Sequence, residues 1–292
     1  MSRIGPDLPF LRLSQTPKAA AKSLGVLAPL VGTWVGGKGW NVIAVPSGPR
    51  SFRVLARPYT ETIEFEPIGA KVPNRGQGTD QFIPGLHYTL KVADNVTNEP
   101  MHIENGMFLR LKQEDGSFAI ARVFSVPHGD ALLAIGRAIP PIIGRPPIGP
   151  APTAPTTGPN TPLGYLDAYS VAQVELIQQG FDFDIGNPNS FLDKTLDAQE
   201  AQGRVVQNTL TFEVSTTNQT GGIHNIPFIK KNADATRLSS TFWIETVLDT
   251  STDTEFLQLQ YTQNTVIEFF PKFGAPGRIE WPHVDVNTLV KQ

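Results

Sequence analysis

The chain has 292 residues, 24 Lys and Arg against 27 Asp and Glu, a formal net charge of −3, and no cysteine. That balance leaves no electrostatic footprint for nucleic acid or an anionic membrane. The lack of cysteine excludes a disulfide framework, a thiolate nucleophile and a Cys-ligated metal. Charged residues make up only 17% while Gly and Pro number 26 each, which favours turn-rich β-structure over long helices. The length suits a single all-β domain spanning 1–292.

Residues 1–27 read as an N-terminal arm without the apolar segment and cleavage site of a signal peptide, and no membrane span follows, so the cytoplasm is the expected location. "TPKAAAKSLGVLAPL" is spaced for one short helix, with Thr16 as cap, Pro17 in the first turn and Gly25 near the end. Next comes "PLVGTWVGGKGW", with four glycines in the eight residues from Gly32 to Gly39. Glycine allows close backbone approach and Trp34 brings a large apolar surface, so a sharply bent first strand over a closed barrel end is expected. From Thr60 to Glu66 the chain alternates, with Thr60, Thr62, Glu64 and Glu66 on one face and Ile63 and Phe65 on the other. "HYTLKVADN", "GMFLRLKQEDG" and "SFAIARVFSVPHG" continue as short strands, and "EDG" is a hairpin signal.

Residues 138–164 hold nine prolines, a density expected to exclude strand ladder and helix alike. The isoleucines Ile139, Ile142, Ile143 and Ile148 point to an insertion docked as a lid or against a second subunit. "YSVAQVELI" reads as a strand. "NSFLDKTLDAQEAQ" reads as a helix capped at Asn189 or Ser190 and ended by Gly203. "RVVQNTLTFEVSTT", "SSTFWIETVLDT", "EFLQLQYTQNTVIEFF" and "IEWPHVDVNTLVKQ" supply further strands. The predicted fold is an all-β, antiparallel up-and-down β-barrel of lipocalin or fatty-acid-binding-protein type, with a Pro-rich insertion and one or two short helices.

Several of these segments together resemble the nitrobindin-type family of haem-binding barrels, which are fatty-acid-binding-protein-like. "PLVGTWVGGKGW" resembles that family's opening P-L-x-G-x-W-x-G-x-G, and "YTETIEFEPIG" its second strand. "NEPMHIENGMFLRL" resembles its G-x-P-M-H-x-E-x-G-Y/F-x-R run, and "WPHVDVNTLVK" its terminal P-H-L-x-A-x-L-x-R/K. "VPHG" stands where the family has an apolar-Pro-Thr-Gly turn, so His128 replaces a Thr, and Trp40 departs from the opening pattern in a way expected to narrow the cavity. The resemblance covers roughly the first 135 residues and the last 50, leaving about 138–235 as insertion or replacement.

The resemblance implies haem b in the barrel mouth, with its iron on a proximal His of the last strand, which falls at His283. It extends the cofactor-binding set to Thr33 and His102, while His128, a departure from the family, is either a second imidazole in the pocket and part of that set or a turn residue at the surface. His224, between two glycines and an apolar run, is the rival iron ligand. His102 and Glu104 share one strand face, either at the pocket rim or as a polar cluster on the barrel exterior. No H-x-E-x-x-H or G-x-S-x-G spacing appears, and the Lys of "WVGGKGW" lacks the Ser/Thr of a phosphate loop.

Two principal readings follow. In the first, the chain is a His-ligated haem barrel that reacts with NO or peroxynitrite, as a peroxynitrite isomerase or a weak peroxidase. In the second, it is a cofactor-free carrier of a fatty acid or other apolar molecule, with Phe108, Phe124, Trp243 and Tyr261 lining the pocket. A third is a structural module whose Pro-rich arm joins copies into a homo-oligomer.

Overall fold

The computed structural model describes residues 22–48, 51–68, 73–155, 164–272 and 274–292. The strands are β1 (Gly32–Pro46), β2 (Phe52–Pro67), β3 (Pro73–Asn74), β4 (Gln81–Phe82), β5 (Gly85–Asp94), β6 (Pro100–Lys112), β7 (Phe118–Val126), β8 (Asp130–Ile143), β9 (Arg204–Ser215), β10 (Gly222–Asn225), β11 (Asp234–Asp249), β12 (Thr254–Pro271) and β13 (Arg278–Lys291). The α-helices are α1 (Gly164–Gln178), α2 (Asn189–Glu200) and α3 (Pro227–Asn232).

Ten strands close an antiparallel barrel in the order β8-β7-β6-β5-β2-β1-β13-β12-β11-β9, with β9 pairing back onto β8. This is the predicted up-and-down barrel. Strand β10 pairs with the first residues of β8, Gly222 opposite Leu133, and so extends the line that β9 begins at Ser215 opposite Ile135. β3 and β4 form a separate two-residue ladder.

One end of the barrel is sealed. Of the expected N-terminal helix, residues 1–21 lie outside the described residues, but Gly25–Leu30 form a 3₁₀ turn whose Leu27 and Leu30 are buried with Leu24 beneath Trp34. The Trp34 Nε1–H donates to the Leu30 carbonyl at 2.6 Å, which satisfies the one polar atom of the plug. Above it, Phe65, Leu86, Phe108, Phe212, Phe242, Leu259 and Leu289 fill the lower lumen.

β1 carries a bulge: Gly36 faces Glu61 and Gly39 faces Tyr59, so two residues of β1, Gly37 and Lys38, oppose one of β2, Thr60. One extra residue reverses the face of every side chain beyond it. Trp34 therefore points into the lumen, whereas Trp40 points outward and stacks on Phe183 with ring centroids 4.1 Å apart. The expectation that Trp40 narrows the cavity is overturned by this phase change. Gly39 is needed for a related reason: a Cβ there would sit 2.2 Å from the Tyr59 ring.

The segment between β8 and β9 wraps the barrel's outer wall. Tyr169, Ala172, Leu176, Phe183, Ile185 and Leu192 form a second core with Trp40, Trp243, Trp281, Val284 and Val286. Two expectations are corrected here. "YSVAQVELI" is not a strand but part of α1, because Tyr165, Tyr169, Ala172 and Leu176 recur at helical spacing and pack on this core. The Pro-rich run is not wholly loop: residues up to Ile143 continue β8, and Pro140 and Pro141 sit at a register shift between Ile139 and Ile142, where a missing N–H is tolerated. Ile148 packs inward, whereas Ile143 is 95% exposed, and residues 156–163 lie outside the described residues. α2 forms as expected, although Pro188 stands at its cap, and Gly203 follows it with φ 78°.

Candidate functional site

The site lies at the barrel end opposite the plug, where the β5–β6, β7–β8 and β12–β13 connections gather. The ladder between β1 and β13 ends at Val42 opposite Val284, while β12 continues alongside β13 with Thr265 opposite His283 and Val266 opposite Pro282. Pro282 thus stands past the end of the β1 ladder. This placement leaves His283 at the mouth, where its side chain remains 23% exposed.

His283 is held by its neighbours. Its Nε2 lies 2.5 Å from Asn41 Nδ2 and 3.3 Å from Asp285 Oδ2, and the same Asn41 nitrogen donates to Asp285 Oδ1 at 2.7 Å. Burial would raise the Asp285 carboxyl, but the charge of His283, its hydrogen bond and that of Asn41 outweigh it and hold the pKa below the usual carboxylate value. Nδ1 of His283 makes no hydrogen bond among the described residues.

The facing wall carries two more imidazoles. His102, on β6, and His128, in the β7–β8 turn, approach at 3.3 Å between Nδ1 and Nε2. His102 Nε2 lies 3.5 Å from Glu104. Burial works to lower the His102 pKa, yet Glu104 more than offsets it, and the net shift is upward. His128 is pushed down, first by burial and then by the charges of His102 and His283. Gly129, at φ 107°, completes this turn, and its bare Cα is where Ile226 packs.

Below the rim the lumen is polar. Arg122 donates to Glu104 at 2.7 Å, to the Tyr88 hydroxyl at 3.0 Å and to Gln263 at 2.7 Å, and Tyr88 also donates to Glu104. Burial alone would raise the Glu104 pKa, but Arg122 and His102 keep it below the ordinary value. Beside this cluster, Glu61 Oε2 accepts hydrogen bonds from Tyr261 at 2.8 Å and from Asn287 at 2.7 Å, and the Tyr59 and Tyr261 hydroxyls lie 2.8 Å apart. Glu61 Oε1 is buried without a partner among the described residues. Burial pushes the Glu61 pKa up to about 7 against the pull of Asn287 and Tyr261.

The expected site residues divide accordingly. His102 and His128 come together, His283 stands at the same mouth, and the His102–Glu104 pair faces the lumen and not the barrel exterior. Thr33 does not join them: it sits beside the plug, eight residues of β1 below Asn41, or roughly 25 Å of strand. His224 is exposed and faces away from the lumen, because its neighbour Ile223 is the residue that packs on the barrel core. Phe108, Phe124 and Tyr261 line the lumen as expected, whereas Trp243 belongs to the outer core under the insertion.

Glu61 and Arg122 were not singled out from the sequence. The signal was present: Glu61 shares the face of Ile63 and Phe65, and Arg122 that of Ile120 and Phe124, so each puts a charge on an apolar face. Among the described residues no three His, Cys, Asp or Glu side chains are grouped to hold a metal ion by themselves, and no helix is long and apolar enough to cross a membrane.

Residues 23–142 match the family model described as "THAP4-like, heme-binding beta-barrel domain". That match includes His102 and His128 and stops well before His283. No curated protein matches the chain. Among solved structures, the crystal structure of Rv2717c from M. tuberculosis is similar with a TM-score of 0.40 and 15% identity, over 94% of this chain and 97% of that one. Residues 23–142, which form the plug and six of the ten strands of the closed antiparallel barrel, are thus similar to the THAP4-like, nitrobindin-type heme-binding β-barrel domains.

Proposed function

We propose that the protein holds haem b at the barrel mouth, where His283 would hold its iron, with the His102–His128 pair at the same mouth. The observation that carries this reading is a carboxylate-backed imidazole from the last strand at the same barrel mouth as two imidazoles from the family-matched segment. The donor set fits the group. A haem ligand is commonly a neutral imidazole whose second nitrogen donates to a carboxylate, and Asp285, itself held by the Asn41 amide, stands in that position at Nε2. With Nε2 so held, Nδ1 is the nitrogen left to bind.

Bound haem supplies an iron that takes up NO or O2, or the oxygen of peroxynitrite. The chain's part is to hold His283 in one orientation and to keep water from below with the apolar lower lumen. His102 holds a proton over a wider pH range than a free imidazole, because Glu104 stabilises its charged form. The charge so held on His102 stands beside the mouth, where an anionic oxidant would arrive, and peroxynitrite isomerisation is the activity this arrangement suits. The carrier reading has less support: the one buried cation among the described residues, Arg122, is already neutralised by Glu104 and cannot seat a fatty-acid carboxylate at full charge.

The test is the visible spectrum of the pure protein, as isolated and after titration with hemin, for the natural chain and His283→Ala. A Soret band that the substitution removes, with far-ultraviolet circular dichroism unchanged, supports the reading and leads to NO and peroxynitrite assays. A chain that leaves hemin unbound, or that binds it equally without His283, sinks it.

A further inference from the structure

The rim of the barrel carries a feature that the haem reading does not use. Between β10 and β11 the chain forms the six-residue helix α3, with sequence PFIKKN, preceded by Ile226. Phe228 is 69% exposed and Ile226 48% exposed, while Lys230 and Lys231 occupy the last turn. The guanidinium of Arg278, at the start of β13, donates to the Lys230 carbonyl at 3.0 Å and so brings a third cation to the same place. Among the described residues none of these three has a carboxylate within ion-pair distance. Their neighbours Arg237 and Lys272 are both paired with Glu280. Ile226 is anchored at the mouth: its amide donates to the Gly129 carbonyl at 3.0 Å, directly beside His128.

We propose that Ile226–Lys231, with Arg278, is a docking surface for an anionic lipid bilayer. An exposed aromatic alone means little. An aromatic side chain projecting beside unneutralised cations, with a half-exposed aliphatic one at its base, is the pairing that an interface between acyl chains and anionic headgroups accepts. A net charge of −3 spread over the molecule does not oppose this, because fields are screened beyond about 10 Å and contact is decided by the local patch. Docking here sets the mouth against the bilayer, a phase in which flat apolar molecules dissolve. The surface stands independently of which molecule fills the barrel.

The experiment is co-sedimentation of the full chain, with no hemin added, with vesicles of phosphatidylcholine alone and with roughly 30% phosphatidylglycerol. Binding is expected to the mixed vesicles only, and to be lost at about 0.5 M salt. Phe228→Ser and the double change Lys230→Glu/Lys231→Glu are each expected to weaken it by about tenfold or more, since each surface cation contributes about fivefold. Both changes lie on exposed positions, so melting temperature and hemin titration should match the natural chain. Val174→Ser, on the exposed face of α1, is the control and should leave binding unchanged. No sedimentation at low salt overturns the proposal. So does equal binding to neutral vesicles, or binding that survives both rim variants.

Discussion

Asn41 and His283 lie 242 positions apart in the chain, yet Asn41 Nδ2 sits 2.5 Å from His283 Nε2. Barrel closure brings them together: β1 and β13 are neighbours, and Asn41 pairs with Asp285, two residues beyond His283. The side chain that orients the candidate ligand therefore comes from the first strand, inside the family-matched segment, and the ligand from the last.

Asn41→Ala should leave the barrel folded but weaken hemin binding by about 10- to 100-fold, the usual cost of losing a group that orients a ligating imidazole. His283→Ala should abolish it. Hemin titration followed at the Soret band measures both, and an Asn41 variant with unchanged affinity would show that the amide does not orient the ring.

Glu61 makes stability pH-dependent in a defined direction. Its pKa is about 7 in the fold against 4.5 for the free side chain. The native state holds the proton more tightly, so the contribution is fully present below about pH 4.5 and is lost as pH rises through 7, by roughly 3 kcal/mol. Glu61→Gln should remove most of that slope. Urea unfolding at pH 5 and pH 7.5 for both chains checks it, and identical pH profiles would count against it.

Arg122 and Glu104 are each buried, so removing one strands the other. Arg122→Met alone should destabilise by about 3–5 kcal/mol, whereas Arg122→Met with Glu104→Leu should cost less than the two single changes summed. The depressed pKa of Glu104 adds that this pair stabilises above the ordinary carboxylate range and loses its contribution as the solution is acidified through the lowered value. A thermodynamic cycle by chemical denaturation that shows strict additivity would refute the coupling.

Gly39→Ala should destabilise by about 1–3 kcal/mol, because the new methyl would meet the Tyr59 ring and the strand must shift to admit it. Gly37→Ala, where a Cβ meets nothing within 4 Å, is the control and should lie within about 0.5 kcal/mol of the natural chain.

Local alternation and turn chemistry were readable in the one-dimensional pattern. Ile63 and Phe65 point inward, "EDG" closes the β6–β7 hairpin, and Trp34 plugs the sealed end, because each depends on neighbours a few residues away. Segment "YSVAQVELI" misled because its β-branched and aromatic residues suit a strand locally, while the helical spacing of Tyr165, Tyr169, Ala172 and Leu176 acquires meaning only against the outer wall that buries it.

The candidate site was half legible. His283, His102, His128 and Glu104 could be named from residue type and from resemblance to a family. Glu61 and Arg122 stood on apolar faces without a visible partner. The sequence by itself determined an antiparallel barrel with a sealed first end and a small set of imidazoles. Tertiary structure alone decided which of them meet. Strand closure sets Asn41 against His283, and a single-residue bulge turns Trp40 out of the lumen. The phase of β10 turns His224 to the surface, and the height of Thr33 on β1 leaves it by the plug. Such outcomes rest on register and strand order, which couple residues hundreds of positions apart and leave no local trace in either partner.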